Sequence, residues 1–264
     1  MIKKIDGLAI SGRVKDKIAK EVFLAQPERP NLAIILVGDR PDSKLYVSLK
    51  QREGTKVGID THLYTLDSDA PEEELISVIK FLNDDQAIDG ILVQLPLPAN
   101  FNTDRVIATI DPQKDVDGFH PDSPEYIISP VLASISACLE EIKFKTLGKT
   151  ASVLYNSEIF GQSVKTLLKA KGLKVDLSGK TKTADLLITA LGEPHKIKKN
   201  MIKEGAVIID IGITTLETGV AGDLDWDDVK DKASYATPVP GGIGPMTVAF
   251  LLKNTLEIFN RRPR

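Results

Sequence analysis

Leu32-Ala33-Ile34-Ile35-Leu36-Val37 is an unbroken apolar run that stops at Gly38. Six residues are short for a helix and suit a strand. A strand with no polar side has to lie in a sheet covered on both faces. The same requirement returns along the chain. Gly90-Ile91-Leu92-Val93, Ser152-Val153-Leu154-Tyr155, Leu186-Leu187-Ile188-Thr189 and Ala206-Val207-Ile208-Ile209-Asp210 read as buried strands, with shorter pieces at 61–65 and at Leu173-Lys174-Val175. Between them lie helical patterns: an amphipathic 7–25, then 41–57, 71–84, 131–143, 159–171 and a last helix over roughly 245–260. The 71–84 segment opens with Pro71 and three glutamates, where the helix dipole favours negative charge. Strands that alternate with helices pair in parallel, which makes the chain α/β.

The alternation occurs in two sets, implying two α/β domains: residues 1–135 with 245–264, and a Rossmann-type parallel sheet over 136–244. One length is unusual. Only Ser178 to Asp185 separates the strand near Val175 from the one near Leu187. A parallel crossover needs about a dozen residues, usually with a helix, so one crossover helix is expected to be missing or cut to a turn.

Composition narrows the partners. With 34 basic and 37 acidic residues and a net charge of -3, the 264-residue chain has no electrostatic footprint for nucleic acid. It has no run of about 18 apolar residues and so no expected membrane span. The start, MIKKIDGLAI, lacks an apolar region of signal-peptide length. The single cysteine, Cys138, forms no internal disulfide and no cysteine-cluster metal site, and a reducing cytoplasm is the simplest compartment. Its neighbours Ala137 and Leu139 make it a core filler.

Four segments carry polar groups suited to chemistry. Tyr46 and Lys50 stand four apart in a helix and share one face, a pair that many surface helices also contain. Val93-Gln94-Leu95-Pro96-Leu97-Pro98 leaves the carboxyl end of a buried strand, where open α/β sheets bind ligands. Gln94 offers both a donor and an acceptor there, to a ligand or to the loop's own backbone. In Lys114-Asp115-Val116-Asp117-Gly118-Phe119-His120 the two acids can bind a metal, cap a helix or recognise a ligand, but no further His/Asp/Glu set has metal spacing. His120 reads as structural or exposed, and His62 and His195 are isolated. The fourth segment, Pro240-Gly241-Gly242-Ile243-Gly244-Pro245, lets backbone approach a ligand or makes a tight turn into the last helix.

In this order and over nearly the whole chain, these segments resemble the bifunctional methylenetetrahydrofolate dehydrogenase/cyclohydrolase family. The stretches DGILVQLPLP, KDVDGFHP and TPVPGGIGPMT carry the resemblance. It implies a folate cleft between a catalytic domain and a dinucleotide-binding domain, a tetrahydrofolate substrate, NADP or NAD as cofactor, no metal, no nucleic-acid or membrane partner, and a cytoplasmic homodimer. It also implies hydrolysis of 5,10-methenyltetrahydrofolate to 10-formyltetrahydrofolate, with NAD(P)-dependent oxidation of 5,10-methylenetetrahydrofolate as the second activity. Lys50 then matches the catalytic lysine, Tyr46 the tyrosine that stacks on folate, Gln94 the glutamine that hydrogen-bonds the lysine, and Asp117 the acid that holds the pterin. Val93, Leu95, Pro240, Gly241, Gly242 and Gly244 match substrate-contacting positions.

The second domain departs from the family. The turn usually written Gly-Arg-Ser-x-x-x-Gly is Tyr155-Asn156-Ser157-Glu158-Ile159-Phe160-Gly161 here. A bulky Tyr155 hinders backbone approach to a pyrophosphate, and Asn156 removes an arginine partner for a 2′-phosphate. Asp176, with Ser178 nearby, stands where an acid binds the ribose hydroxyls of NAD and repels a 2′-phosphate, although Lys180 and Lys182 are close. Pro130-Val131-Leu132-Ala133 replaces a Pro-Cys-Thr-Pro stretch, and Ile213 matches a position beside the nicotinamide. Cyclohydrolase activity is therefore expected to be retained, and the dehydrogenase to be weak, NAD-using or absent. Two alternatives are a cyclohydrolase only and a non-catalytic folate binder. Tyr-x-x-x-Lys also occurs in short-chain dehydrogenases, but those open with a glycine-rich dinucleotide turn, and none precedes Tyr46.

Overall fold

The structure is a computed structural model that describes residues 1–217 and 219–262. It divides into two compact units, Gly12–Pro130 with Val248–Arg264 and Met1–Ser11 with Val131–Thr247. Along the chain, β1 (Lys3–Lys4) and α1 (Gly7–Leu24) precede β2 (Asn31–Val37), α2 (Pro41–Val57), β3 (Asp60–Leu66), α3 (Glu72–Asp84), β4 (Gly90–Val93), α4 (Thr103–Ile107) and α5 (Pro130–Glu141). They are followed by β5 (Thr150–Tyr155), α6 (Glu158–Ala170), β6 (Lys174–Asp176), β7 (Leu186–Ala190), β8 (Val207–Asp210), β9 (Thr214–Leu216), β10 (Gly219–Ala221), α7 (Trp226–Val229), β11 (Tyr235–Ala236) and α8 (Ile243–Arg261).

The first unit is built on a three-stranded parallel sheet in the order β3-β2-β4. Central β2 explains its own sequence. Successive side chains of a strand point to opposite faces. Leu32, Ile34 and Leu36 enter a core with Val47 and Val57 of α2 and Leu251, Leu252 and Phe259 of α8. Ala33, Ile35 and Val37 enter a second core with Leu75, Ile79 and Leu82 of α3 and Val106 of α4. Each fully buried Leu or Ile contributes roughly 1.5–3 kcal/mol of transfer free energy, so neither face of β2 tolerates a polar residue.

Lys114 anchors the end of α3. Its Nζ donates to the carbonyl oxygens of Leu82, Asn83 and Asp85 at 3.0, 2.8 and 2.7 Å, satisfying acceptors that a helix end leaves open. The chain then runs beside β4, where Asp115 makes an isolated parallel bridge with Ile91.

The second unit holds a six-stranded sheet, β1-β11-β8-β7-β5-β6, with every neighbouring pair parallel. Between β6 and β7, residues 177–185 contain only a 3-10 turn, Thr181–Thr183, so the crossover helix is cut to a turn as its length requires. Residues 1–11 belong to this unit, whereas the sequence grouped them with the folate domain. β1 and β11 are two-residue strands, too short to show a period, and their pairing draws the amino terminus in. α4, α7 and the antiparallel hairpin β9–β10 are short for the same reason and carry no sequence signal. Cys138 is fully buried with its Sγ 3.8 Å from Met246 Sδ, and burial pushes its thiol up to about 12, consistent with a core filler.

Candidate active site

The candidate groups of the first unit start on α2. Pro41 occupies its first turn, with Asp42 beside it, and the helix ends at Gly58 in the left-handed conformation (φ 84°). Ser43, Val47, Glu53, Gly54 and Val57 are its buried residues. Tyr46 and Lys50 stand one turn apart and are both half-buried.

Lys50 Nζ donates to Gln94 Oε1 at 2.8 Å. Gln94 lies one residue beyond β4 and continues the ladder, its N–H bonding Ile35 O at 2.8 Å. Its own Nε2 donates to Leu95 O at 2.6 Å. The backbone bond is one of the two sequence alternatives for Gln94, and it orients the amide with its oxygen towards the lysine. Val93 is buried in the strand and Leu95 is half-buried beside the amide.

Asp117 completes the cluster. The parallel run of residues 114–116 along β4 delivers Asp117 at the strand's carboxyl end, and Asp115 fixes its loop. Asp115 is 1% exposed. Its Oδ1 accepts the Asp117 N–H at 3.0 Å. Its Oδ2 accepts the Phe119 and His120 N–H groups, both at 2.7 Å, and the Ser123 hydroxyl at 3.2 Å. From α8, buried Asn254 Nδ2 donates to Val116 O at 2.8 Å and Ile128 O at 2.9 Å, tying both ends of the loop. Gly118 turns the chain at φ 63°, and a Cβ there would stand 3.2 Å from Ser129 N. Asp115 is thus the structural partner of the two acids. Sequence reasoning missed Asn254, whose only signal is one amide among the mainly apolar buried residues of α8. His120 Nδ1 accepts the Asp122 N–H at 3.0 Å and holds a turn.

The electrostatics are those of a lysine and a carboxylate drawn out of water together. Burial lowers the Lys50 pKa, and the Asp117 charge partly restores it. Burial pushes Asp117 up to about 6, and the Lys50 charge opposes the rise. Tyr46 is shifted upward, chiefly by burial and then by Asp42. The arrangement offers an ammonium of reduced pKa, a neutral acceptor that orients it, and a carboxyl group able to accept or share protons near neutrality. Among the described residues there is no group of three or more His, Cys, Asp or Glu placed to hold a metal ion, and no helix is long and apolar enough to cross a membrane.

The remaining sequence candidates lie in the second unit. Pro240, Gly241 and Gly242 lead into α8, and Gly244 lies in its first turn. Gly241 has φ 100°. Gly242 has a packing role, since a Cβ on Gly7 would come within 1.9 Å of its carbonyl oxygen. Tyr155, at the end of β5, lays its ring on Gly161, where a Cβ would meet ring atoms at 2.6 Å, and its hydroxyl donates to Glu158 Oε2 at 3.0 Å. Asn156 Nδ2 donates to Leu191 O at 3.1 Å, and Ser157 caps α6. Asp176 ends β6. It accepts the Ser178 hydroxyl at 2.8 Å and the Lys180 N–H at 3.0 Å, which hold its pKa below the usual carboxylate range. Ile213 is 40% exposed just beyond β8. These residues sit at or after the ends of parallel strands, at the edge where such sheets take dinucleotides, and the ionised Asp176 at the end of β6 is an acceptor suited to the hydroxyls of a ribose diol. The chemistry fits a nicotinamide dinucleotide. Tyr155 and Glu158 crowd the first turn of α6, where a diphosphate would otherwise find free amides.

Residues 5–117 match the family model for the tetrahydrofolate dehydrogenase/cyclohydrolase catalytic domain, and residues 130–263 match the model for its NAD(P)-binding domain. The chain is 41% identical to the bifunctional protein FolD of Aquifex aeolicus, with 98% of this chain and 95% of that protein covered. It is 40% identical to that of Geotalea daltonii, with 99% and 100% covered. The crystal structure of the bifunctional FolD methylenetetrahydrofolate dehydrogenase/cyclohydrolase from Campylobacter jejuni superposes with a TM-score of 0.93 at 36% identity, covering 99% of this chain and 100% of that one. The Trypanosoma brucei enzyme, solved with NADP cofactor and an inhibitor, gives 0.92 at 30% identity, with 98% of each chain covered.

Proposed function

This chain belongs to the tetrahydrofolate dehydrogenase/cyclohydrolase family, and on that premise we propose that it hydrolyses 5,10-methenyltetrahydrofolate to 10-formyltetrahydrofolate through Lys50 and oxidises 5,10-methylenetetrahydrofolate with a nicotinamide dinucleotide. The observation that carries the first half is the Lys50–Gln94 hydrogen bond beside Asp117. In the hydrolysis, the oxygen of water bonds to the bridge carbon and loses one proton by way of Lys50. The bond from that carbon to N5 then breaks, N5 takes the hydroxyl proton, and one proton is released in net. Gln94 occupies one N–H of the lysine and leaves the others for the reacting water. Asp117, when ionised, accepts two N–H groups from the aminopyrimidine edge, as carboxylates do in bidentate pairs. Tyr46 offers a flat ring for stacking, and Val93 and Leu95 supply apolar wall.

For the second activity, the bound dinucleotide supplies the hydride-accepting carbon. Asp176 and Ser178 hold the adenosine ribose, with Tyr155, Asn156 and Ser157 at the first turn and Ile213 on the nicotinamide side. The Asp176 carboxylate favours NAD over NADP by accepting from ribose hydroxyls and repelling a 2′-phosphate. The match of residues 130–263 to the NAD(P)-binding model supports the dehydrogenase over a cyclohydrolase acting alone. The homodimer and the cytoplasmic location rest on the family resemblance, and sedimentation and cell fractionation test them.

Lys50→Met tests the central assignment. Hydrolysis should fall at least about a hundredfold, the scale of a lost general acid–base. Folate binding, read by fluorescence titration, should stay within a few-fold. A Lys50→Met protein that hydrolyses at the parent rate would overturn the assignment. A parent protein that binds folate without hydrolysing it would be a binder.

A further inference from the structure

Two aspartates of the second unit, Asp210 and Asp223, are 1% and 0% exposed, and they interlock. Asp223, just past β10, reaches to β7. Its Oδ2 accepts the Thr189 hydroxyl and the Leu191 N–H, both at 2.7 Å, and its Oδ1 accepts the Glu193 N–H at 2.9 Å. Asp210, the last residue of β8, answers in the other direction. Its Oδ1 accepts the Gly212 N–H at 3.0 Å and the Asp223 N–H at 3.2 Å, and its Oδ2 accepts the Leu224 N–H at 2.8 Å.

Each carboxylate also fills the space beside a glycine on its partner's segment. A Cβ on Gly212 would lie 2.1 Å from Asp223 Oδ1, and one on Gly222 would lie 2.2 Å from Asp210 Oδ2. The segment from Gly212 to Leu224, with its hairpin, is therefore clasped at both ends. Burial pushes the Asp210 carboxyl up to about 7, with the Asp223 charge adding to the rise.

The backbones fixed by the clasp are the turns that follow β7 and β8. These strands are parallel neighbours, and an open parallel sheet holds its ligand beyond its carboxyl ends. Ordering such turns in advance removes an entropy cost from binding. We propose that Asp223 and Asp210 are positioning residues for the dinucleotide, holding the 190–193 and 211–213 turns in the conformation that receives it. The inference rests on the reading of the second unit as the dinucleotide domain.

The test uses the full chain, and hydrolysis serves as an internal control because the residues proposed to carry it out, Lys50, Gln94 and Asp117, lie in the first unit. Thr189→Val removes the hydroxyl donor at nearly constant volume, Thr189→Ser keeps it, and Asp223→Asn leaves an amide N–H facing a backbone N–H. Calorimetric titration should show NAD and NADP Kd raised about tenfold in Thr189→Val and Asp223→Asn, the scale of one lost charged hydrogen bond, and restored in Thr189→Ser. The dinucleotide KM should rise while kcat at saturation stays within about threefold. Hydrolysis should be unchanged. A dinucleotide Kd within twofold of the parent in folded Thr189→Val overturns the inference, as does a fall in hydrolysis that parallels the loss of binding. If Asp223→Asn fails to fold, the Thr189 pair decides alone. A parent protein that binds neither nucleotide overturns the domain reading itself and the inference with it.

Discussion

Replacing Asp115 with alanine should be the most damaging single change near the folate site, although this carboxylate is proposed to touch no substrate. Its two oxygens accept three backbone N–H groups and one hydroxyl. Alanine leaves these donors without an acceptor in a site that is 1% exposed. An orphaned buried N–H costs about 1–3 kcal/mol. The Phe119 end can relax towards water, because that side chain is 48% exposed. We therefore expect a loss of roughly 3–5 kcal/mol, a large share of a typical total of about 5–15 kcal/mol. Asp115→Asn keeps one acceptor and should lose roughly 1–2 kcal/mol. Urea unfolding followed by tryptophan fluorescence and circular dichroism measures both. Under conditions where Asp115→Ala stays folded, its folate KM should rise about tenfold or more, because Asp117 no longer has a fixed backbone, while NAD binding is unchanged. Asp115→Ala within about 0.5 kcal/mol of the parent, with an unchanged folate KM, would refute the claim that this carboxylate builds the loop.

The structure sets four further outcomes. Asp117, raised to about 6, should give kcat/KM for hydrolysis an acid limb near pH 6, because only the carboxylate accepts the pterin N–H groups; Asp117→Asn should remove the limb and raise KM. Its folded pKa lies above the unfolded value of about 3.8, so the unfolded chain gives up this proton first, and the ligand-free protein should lose stability as pH rises from about 4 to 6 in a denaturation series. Gly7→Ala, whose Cβ would stand 1.9 Å from Gly242 O, should cost at least about 2 kcal/mol by chemical unfolding, and a neutral result would mean that α1 can shift freely. Asp176→Ala should weaken NAD about tenfold and erase the preference over NADP; equal weakening of both nucleotides would show that the acid serves only its own loop.

Much of the fold and of the proposed folate site was legible in the residues themselves. The six apolar residues of β2 demanded two covered faces and have them. The spacing of Tyr46 and Lys50 and the strand-end position of Gln94 come from local periodicity, and the short crossover came from a length. The features that stayed hidden are long-range. Two-residue strands carry no period, so the return of residues 1–11 to the second sheet had no local sign. Asn254 lies 138 residues from the carbonyl it holds, and Asp223 binds the turn after β7 from beyond a hairpin. An aspartate that will accept several N–H groups looks, in a sequence, like any other aspartate. Only the glycines opposite it, Gly212 and Gly222, hinted at close approach.

The partner of Lys50 is an amide, and its direction is locked by the bond to Leu95. An amide can point a lysine without trapping it, because it does not bind the ammonium with a formal charge of its own. A glutamate at position 94 would aim the nitrogen equally well and would tighten its hold on the proton. In the proposed hydrolysis, the uncharged amide would let the amine surrender a proton and reclaim it on each turnover.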